Sequence, residues 1–301
     1  MRHVAVAGIT GTDLVKLLIP LPPLSEQKAI AHILSSFDDK IELIRQMNET
    51  LEAMARAIFK SWFVDFDPVS AKRSGRQPAG MDTATADLFP DEFEESSLGL
   101  IPKGWRVGKL GDIAENLRRG VKPENITPNT PYIGLEHMPK RSISLSDWGS
   151  VEDINSNKYQ FYQGEILFGK LRPYFHKVGV AALDGICSTD ILVITPKLQE
   201  WFSFVLSIVS SDDFINYTNI TSTGTRMPRT NWNDMSKYEI IIPSIEIVKT
   251  FNYQLVPFVN KIKSHIFESH TLATLRDTLL PKLMSGEIRV KEAEKIMEKL
   301  T

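Results

Sequence analysis

Apolar residues step along positions 30–62 at alternating spacings of four and three. The set is Ile30, Leu34, Phe37, Ile41, Ile44, Asn48, Leu51, Ala55, Ile58 and Trp62, and nine of the ten are apolar. The same stepping returns at Phe251, Leu255, Phe258, Ile262, His265, Ser269, Leu272, Arg276, Leu279 and Leu283, with seven of ten apolar. A 3.5-residue repeat held over more than four heptads predicts a coiled-coil seam on each of two long helices. Asn48 and Ser269 occupy the same heptad place, and a paired polar layer in an apolar seam fixes register. The helix starts are marked by Pro22-Pro23-Leu24-Ser25-Glu26 and Pro243-Ser244-Ile245-Glu246, which makes Ser25 and Ser244 the expected N-caps.

The two segments are copies of one another. A shift of 221 positions lays Lys28 on Lys249, Leu34 on Leu255, Phe37 on Phe258, Lys40 on Lys261, Ile41 on Ile262 and Leu51 on Leu272. Upstream, Leu17-Leu18-Ile19-Pro20 matches Ile240-Ile241-Ile242-Pro243 with a two-residue offset. A strand-like run, a proline and a long helix therefore occur twice, and such self-similarity sets the organisation of the whole chain. Residues 1–24 read as the remnant of a preceding domain, 25–66 as the first helix and 245–290 as the second, with a tail at 291–301. Residues 67–96 read as a solvated connector: Lys72-Arg73-Ser74-Gly75-Arg76 is polar, and Asp82, Asp87, Asp91, Glu92, Glu94 and Glu95 follow. Residues 97–244 form the globular block. Strand-like runs lie at 165–168, 178–182, 191–194 and 239–242, and helical stretches near 200–210 and 212–220. The fold class is α+β: one globular mixed α/β domain plus two long helices pairing as an antiparallel coiled coil.

Composition adds limits. The 301 residues are 42% hydrophobic and 24% charged, ordinary for a globular protein and unlike disordered or disulfide-rich chains. Cys187 is the single cysteine, so no intrachain disulfide forms and a reducing compartment fits. The sequence has no apolar run of the ~20 residues that a bilayer requires, and the expected location is the cytoplasm, with no membrane partner. The net charge is -2, so any binding to nucleic acid must rest on a local patch.

Catalytic patterns are absent. Asn129-Thr130-Pro131-Tyr132 lacks the first proline of a base-flipping methyltransferase loop, and Gly8-Ile9-Thr10-Gly11 is a weak match to a cofactor turn. The six histidines and Cys187 show no metal-ligand spacing. No catalytic residue, metal site or cofactor is expected. What stands out is basic and aromatic interleaving in three places. Arg118, Arg119 and Lys122 form the first cluster; Lys170, Arg172, Tyr174 and Lys177 the second; Thr225, Arg226, Arg229 and Asn231 the third. Arginine bridges guanine bidentately, asparagine reads adenine and lysine neutralises phosphate, so these are the candidate residues for duplex DNA. A helix over 30–62 would span roughly 50 Å at ~1.5 Å per residue, on the order of 14–15 base pairs.

Several strings resemble the specificity (S) subunit of Type I restriction-modification systems. Ile19-Pro20-Leu21-Pro22-Pro23-Leu24-Ser25-Glu26-Gln27-Lys28 is similar to the junction between a recognition domain and a spacer helix. Phe63-Val64-Asp65-Phe66-Asp67-Pro68-Val69, Leu88-Phe89-Pro90-Asp91 and Gly99-Leu100-Ile101-Pro102-Lys103-Gly104-Trp105 resemble the connector into the next recognition domain. Gly164-Glu165-Ile166-Leu167-Phe168-Gly169-Lys170-Leu171-Arg172-Pro173-Tyr174 resembles a recognition-domain core motif, and Leu280-Pro281-Lys282-Leu283-Met284-Ser285-Gly286-Glu287-Ile288 the end of the family's last helix. The resemblance implies that 97–244 is a target-recognition domain and that the chain is a non-catalytic DNA reader for one half of a bipartite site. It also implies that the helices dock methyltransferase subunits, which carry S-adenosylmethionine, and that restriction subunits join them. The family has two recognition domains and this sequence carries one, which leaves a homodimer of half subunits, or a scaffold that keeps assembly without reading DNA, as the alternatives.

Overall fold

The computed structural model describes residues 10–16, 21–150 and 156–293. The run at 17–20, Gly8-Ile9, and most of the expected remnant at 1–24 and tail at 291–301 lie outside these residues. After a short α1 (Gly11–Leu14) comes the 40-residue α2 (Leu24–Phe63), then α3 (Asp67–Arg73) and α4 (Thr83–Asp87). The antiparallel hairpin of β1 (Phe93–Ser96) and β2 (Gly99–Pro102) leads to β3 (Arg106–Lys109) and α5 (Leu110–Ile113). Next are β4 (Ala114–Asn116), β5 (Arg119–Val121), β6 (Pro131–Ile133), β7 (Gly149–Ser150), β8 (Lys158–Phe161), β9 (Ile166–Gly169), β10 (Val178–Val180), β11 (Gly185–Cys187) and β12 (Ile191–Pro196). The chain closes with α6 (Phe202–Val209), α7 (Asp212–Ile220), α8 (Trp232–Met235), β13 (Glu239–Ile242) and the 41-residue α9 (Ile245–Ser285). Strands β10-β9-β12-β4 make one antiparallel sheet. Strands β5-β8-β11-β6-β7 make a second, in which β11 and β6 run parallel, and β13 pairs with β3. The fold is α+β, as the sequence implied.

The chain divides into two compact units, residues 1–44 with 268–301 and residues 45–267. In the first unit Ile30, Ile33, Phe37, Ile44, Leu272, Leu279 and Leu283 form a buried cluster, with Leu34 and Ile41 half-buried against it. Ion pairs join Glu26 to Arg289 (3.6 Å), Asp38 to Arg276 and Lys40 to Glu268 (3.2 Å). Numbers on α2 rise as their partners on α9 fall, so the helices run antiparallel. Beyond α9 the chain turns at Gly286, whose φ of +76° suits glycine, and Ala293 returns to full burial in the same cluster.

In the second unit the antiparallel pairing continues, and it revises the expected polar layer. Asn48 meets His265, with Oδ1 and Nδ1 2.6 Å apart, both side chains being buried. Ser269 is half-buried and belongs to the first unit. The repeat is direct in sequence while the helices oppose each other, so positions sharing a heptad place do not face one another. The caps differ similarly. Helix α2 begins one residue before Ser25, and Gln27 Nε2 donates to the Pro22 carbonyl (2.7 Å). Ser244 does precede α9, accepting from the Ile247 amide at 3.5 Å.

Leu51, Ile262 and Ile266 pack on Ala182 of the globular part, while Ile58 and Leu255 reach its main core. Phe258 is half-buried and lines a cavity of about 480 Å³ with Leu51, Phe59, Leu206 and Ile262. The junction itself is aromatic. Phe251 lies 4.9 Å from Phe63 edge-on and 5.8 Å from Trp62; Phe63 meets Phe204 at 4.9 Å and Trp62 meets Phe89 at 5.1 Å. The expected connector is drawn into this core. Val69, Ala86 and Phe89 are buried, and the Lys72 ammonium donates to the Ala86 and Phe89 carbonyls. A few apolar residues spaced along a polar stretch suffice to hold it down, which charge composition alone conceals. Cys187 on β11 is fully buried, and its burial pushes the thiol up to about 12.

Glu52 of α2 is the buried charge at the junction, 3% exposed. Its carboxylate accepts from the Ser142 hydroxyl at 2.7 Å and from Arg56 at 3.3 Å. Burial raises its proton affinity above the usual carboxylate range, and these hydrogen bonds only partly oppose the rise. A group bound to its proton more tightly in the folded state destabilises the fold as pH climbs through the raised value, and does so less below it. Glu52→Gln keeps an acceptor for Ser142 without the charge. It is expected to melt higher than the wild type at pH 8, with the gap closing toward pH 4. Melting below the wild type at every pH would contradict this.

Candidate nucleic-acid interface

Strand β9 ends at Gly169 and runs directly into the second basic cluster. Arg172 and His176 both adopt left-handed backbone, φ 50° and 53°, on either side of a 3-10 turn at Pro173–Phe175. Non-glycine residues pay for such conformations, and here the surroundings hold them. Pro173 is buried, and the His176 Nε2 faces the Ser210 carbonyl at 2.9 Å, so that nitrogen carries the hydrogen. Burial, more than the opposing pull of that bond, keeps His176 below the usual imidazole range and therefore neutral.

The third cluster is a narrow hairpin whose base, Thr223 and Arg229, exchanges backbone hydrogen bonds of 3.0 and 2.9 Å. The two segments are laced together: the Arg172 amide donates to the Pro228 carbonyl (2.7 Å) and the Thr230 amide to the Lys170 carbonyl (3.0 Å). Residues nearly sixty positions apart thus share one surface. Tyr174 stands 49% exposed there, its ring 4.9 Å from that of Phe175.

A residue that the sequence did not single out completes the surface. The Lys140 ammonium lies 4.6 Å from the Phe175 ring centroid, and the Arg172 guanidinium carbon is 6.0 Å from the same ring, within reach of cation–π attraction. The Lys177 ammonium donates to the Leu135 carbonyl, and burial, followed by the charge of Lys140, lowers its proton affinity. Among the described residues no carboxylate lies within ion-pair distance of Lys140, Lys170, Arg172, Lys177 or Arg226. Other cations nearby are neutralised within the fold, as Arg229 is by Asp190 (3.2 Å). Two like charges held at one ring, neither paired with a carboxylate, repel each other, and a polyanion relieves that cost.

The first cluster is placed differently. Arg119 grips Glu165 with two hydrogen bonds of 2.8 and 2.7 Å and covers the Tyr162 ring at 4.6 Å. This braces β5 against the start of β9, whereas Lys170 follows the end of that strand. Lys122 is exposed beside Glu124 (3.9 Å), and Arg118 is exposed. Asn231 serves α8: its Oδ1 accepts from the Asp234 amide (3.1 Å) and its Nδ2 donates to the Asp234 carboxylate (2.7 Å). Thr225 and Arg226 lie exposed at the hairpin tip. Among the described residues, no group of three or more His, Cys, Asp or Glu side chains could hold a metal, and no helix is long and apolar enough to cross a membrane.

Known proteins resemble this chain in sequence and in fold. The model of the Type I restriction modification DNA specificity domain matches residues 2–53 and 102–274. The Type I restriction enzyme HindI specificity subunit of Haemophilus influenzae is 28% identical, over 93% of this chain and 71% of its own length. The MjaIX specificity subunit of Methanocaldococcus jannaschii is 30% identical, over 94% and 63%. The chain thus spans roughly two-thirds of the length of these relatives. In fold it is similar to the S subunit of the Type I restriction-modification system from M. genitalium, with a TM-score of 0.50 at 17% identity, over 86% of this chain and 61% of that one. With the family model covering most of the sequence and similarity to specificity subunits over 93–94% of its residues, this chain belongs to the Type I restriction modification DNA specificity domain family.

Proposed function

We propose that the protein is a non-catalytic, cytoplasmic DNA-specificity subunit of a Type I restriction-modification complex, reading one half of a bipartite site in duplex DNA. Residues 97–244 act as the target-recognition domain, and α2 and α9 act as spacers that dock methyltransferase subunits, with restriction subunits joining that core. The single observation that carries the reading is the pair of cations, Lys140 and Arg172, that share the Phe175 ring without a carboxylate partner, in a chain of this family. Cations that the fold leaves without carboxylates are suited to phosphates. The family's relatives named as specificity subunits support the absence of chemistry in this chain.

The test is methylome sequencing of cells that express this chain with its methyltransferase subunit. One interrupted motif, methylated only when both chains are present, is the expected result. Methylation that is unchanged when this chain is deleted would refute the proposal.

A further inference from the structure

The reading surface contains two kinds of side chain, and they differ in how the fold treats them. Lys140 and Arg172 are pinned: both lie against Phe175, and Arg172 is fixed by its left-handed backbone and its bond to Pro228. The tip of the hairpin between Thr223 and Arg229 is the opposite. Thr225, Arg226 and Met227 are exposed, Met227 at 46%, and their side chains make no hydrogen bond or ion pair among the described residues. The base beneath them is rigid all the same, closed by the paired bonds of Thr223 and Arg229 and laced to the 170–172 segment. Gly224 makes the bend: its φ is +99°, and a Cβ there would approach the Met227 carbonyl oxygen at 3.2 Å. A stiff stalk thus carries a hydroxyl, a guanidinium fork and an apolar thioether beside a fixed cation pair.

We propose that this tip determines which bases are recognised, while Lys140 and Arg172 hold the phosphate backbone and carry no sequence preference. The inference rests on the reading of the domain as a DNA reader and assigns roles within it. A two-stranded ribbon fits the major groove, which is ~12 Å wide. There, guanine offers O6 and N7 to a guanidinium, thymine offers its methyl to an apolar side chain, and a hydroxyl serves either base. Arg226 reads a guanine, and Met227 packs on the methyl of a neighbouring thymine. Pinned point charges suit phosphates, which are alike at every step and set position without information.

A randomised duplex library, selected by the full chain together with its methyltransferase subunit and then sequenced, separates the roles. Lys140→Ala is expected to select the wild-type motif with affinity lowered by about tenfold for every sequence, and with a salt dependence shallower by about one ion. Arg226→Ala and Met227→Ala are expected to relax the motif at one or two positions, losing roughly 5- to 150-fold of discrimination there. Because the tip is exposed, their melting temperatures should equal that of the wild type, so a changed motif is not a folding defect. Tip variants that return the wild-type motif, or a Lys140→Ala protein that changes it, would overturn the assignment while leaving the DNA-reader proposal standing. A wild-type chain that selects no motif would remove both.

Discussion

Phe251→Ala is expected to lower the stability of the unit formed by residues 45–267 by about 3–5 kcal/mol, the usual range for emptying a buried phenylalanine site. Phe251 is fully buried and touches Phe59, Trp62 and Phe63 at ring separations of 6.2, 5.8 and 4.9 Å. Those rings come from α2, and they in turn meet Phe204, Phe89 and Trp105 of the globular part. The cavity therefore opens where three sets of elements converge, and rigid helices leave little room for it to collapse. Edge-on ring pairs add to the loss beyond area alone. Domains are stable by only about 5–15 kcal/mol, so the variant sits near its unfolding threshold. At roughly 2–4 °C per kcal/mol for a unit of this size, the melting temperature should fall by roughly 6–20 °C in a thermal scan. Phe251→Leu, which refills most of the volume, should lose far less. An alanine variant with an unchanged transition would mean that the aromatic junction does not hold the helices to the domain.

The second large effect concerns binding. Arg172→Ala is expected to weaken duplex binding by roughly 10- to 150-fold, the loss of one charge-assisted contact of about 1.5–3 kcal/mol, without loosening the docking of methyltransferase subunits. The backbone at Arg172 complicates the reading of that result, because its φ of 50° strains alanine. Arg172→Gly resolves the point. Glycine removes the guanidinium while accepting the left-handed conformation, so equal losses in both variants, measured by titration against labelled duplex, assign the effect to the side chain. Recovery of binding in the glycine variant would assign it to loop geometry instead.

Much of this architecture is legible in the sequence, because long repeated patterns carry their own averaging. The seam residues of α2 and α9 stand out since nine of ten positions in one and seven of ten in the other are apolar on one period, and the family motifs lie in contiguous strings. Pairing between distant segments is less accessible. Periodicity shows that Asn48 and Ser269 are equivalent, but the choice of His265 as the facing residue follows from helix direction and stagger. Strands β4 to β8 escape the reading because none of these short segments is a contiguous apolar run of the kind that marks Ile166-Leu167-Phe168 or Ile191-Leu192-Val193-Ile194. The same limit applies to the site. Lys170, Arg172 and Tyr174 are conspicuous as a cluster, whereas Lys140 stands in a short Lys140-Arg141 pair with no aromatic beside it, and only the fold brings it to Phe175. Conversely, Arg119 looks like a DNA contact until Glu165, forty-six positions away, is seen to occupy it.

The burial of Cys187 has a practical consequence. Thiol-directed dyes require an accessible thiolate, and the lone native thiol offers neither access nor ionisation near neutral pH. A cysteine placed at the hairpin tip, as in Thr225→Cys, would therefore accept a maleimide fluorophore selectively in the otherwise wild-type protein. Engagement of the tip could then be followed in real time by emission changes.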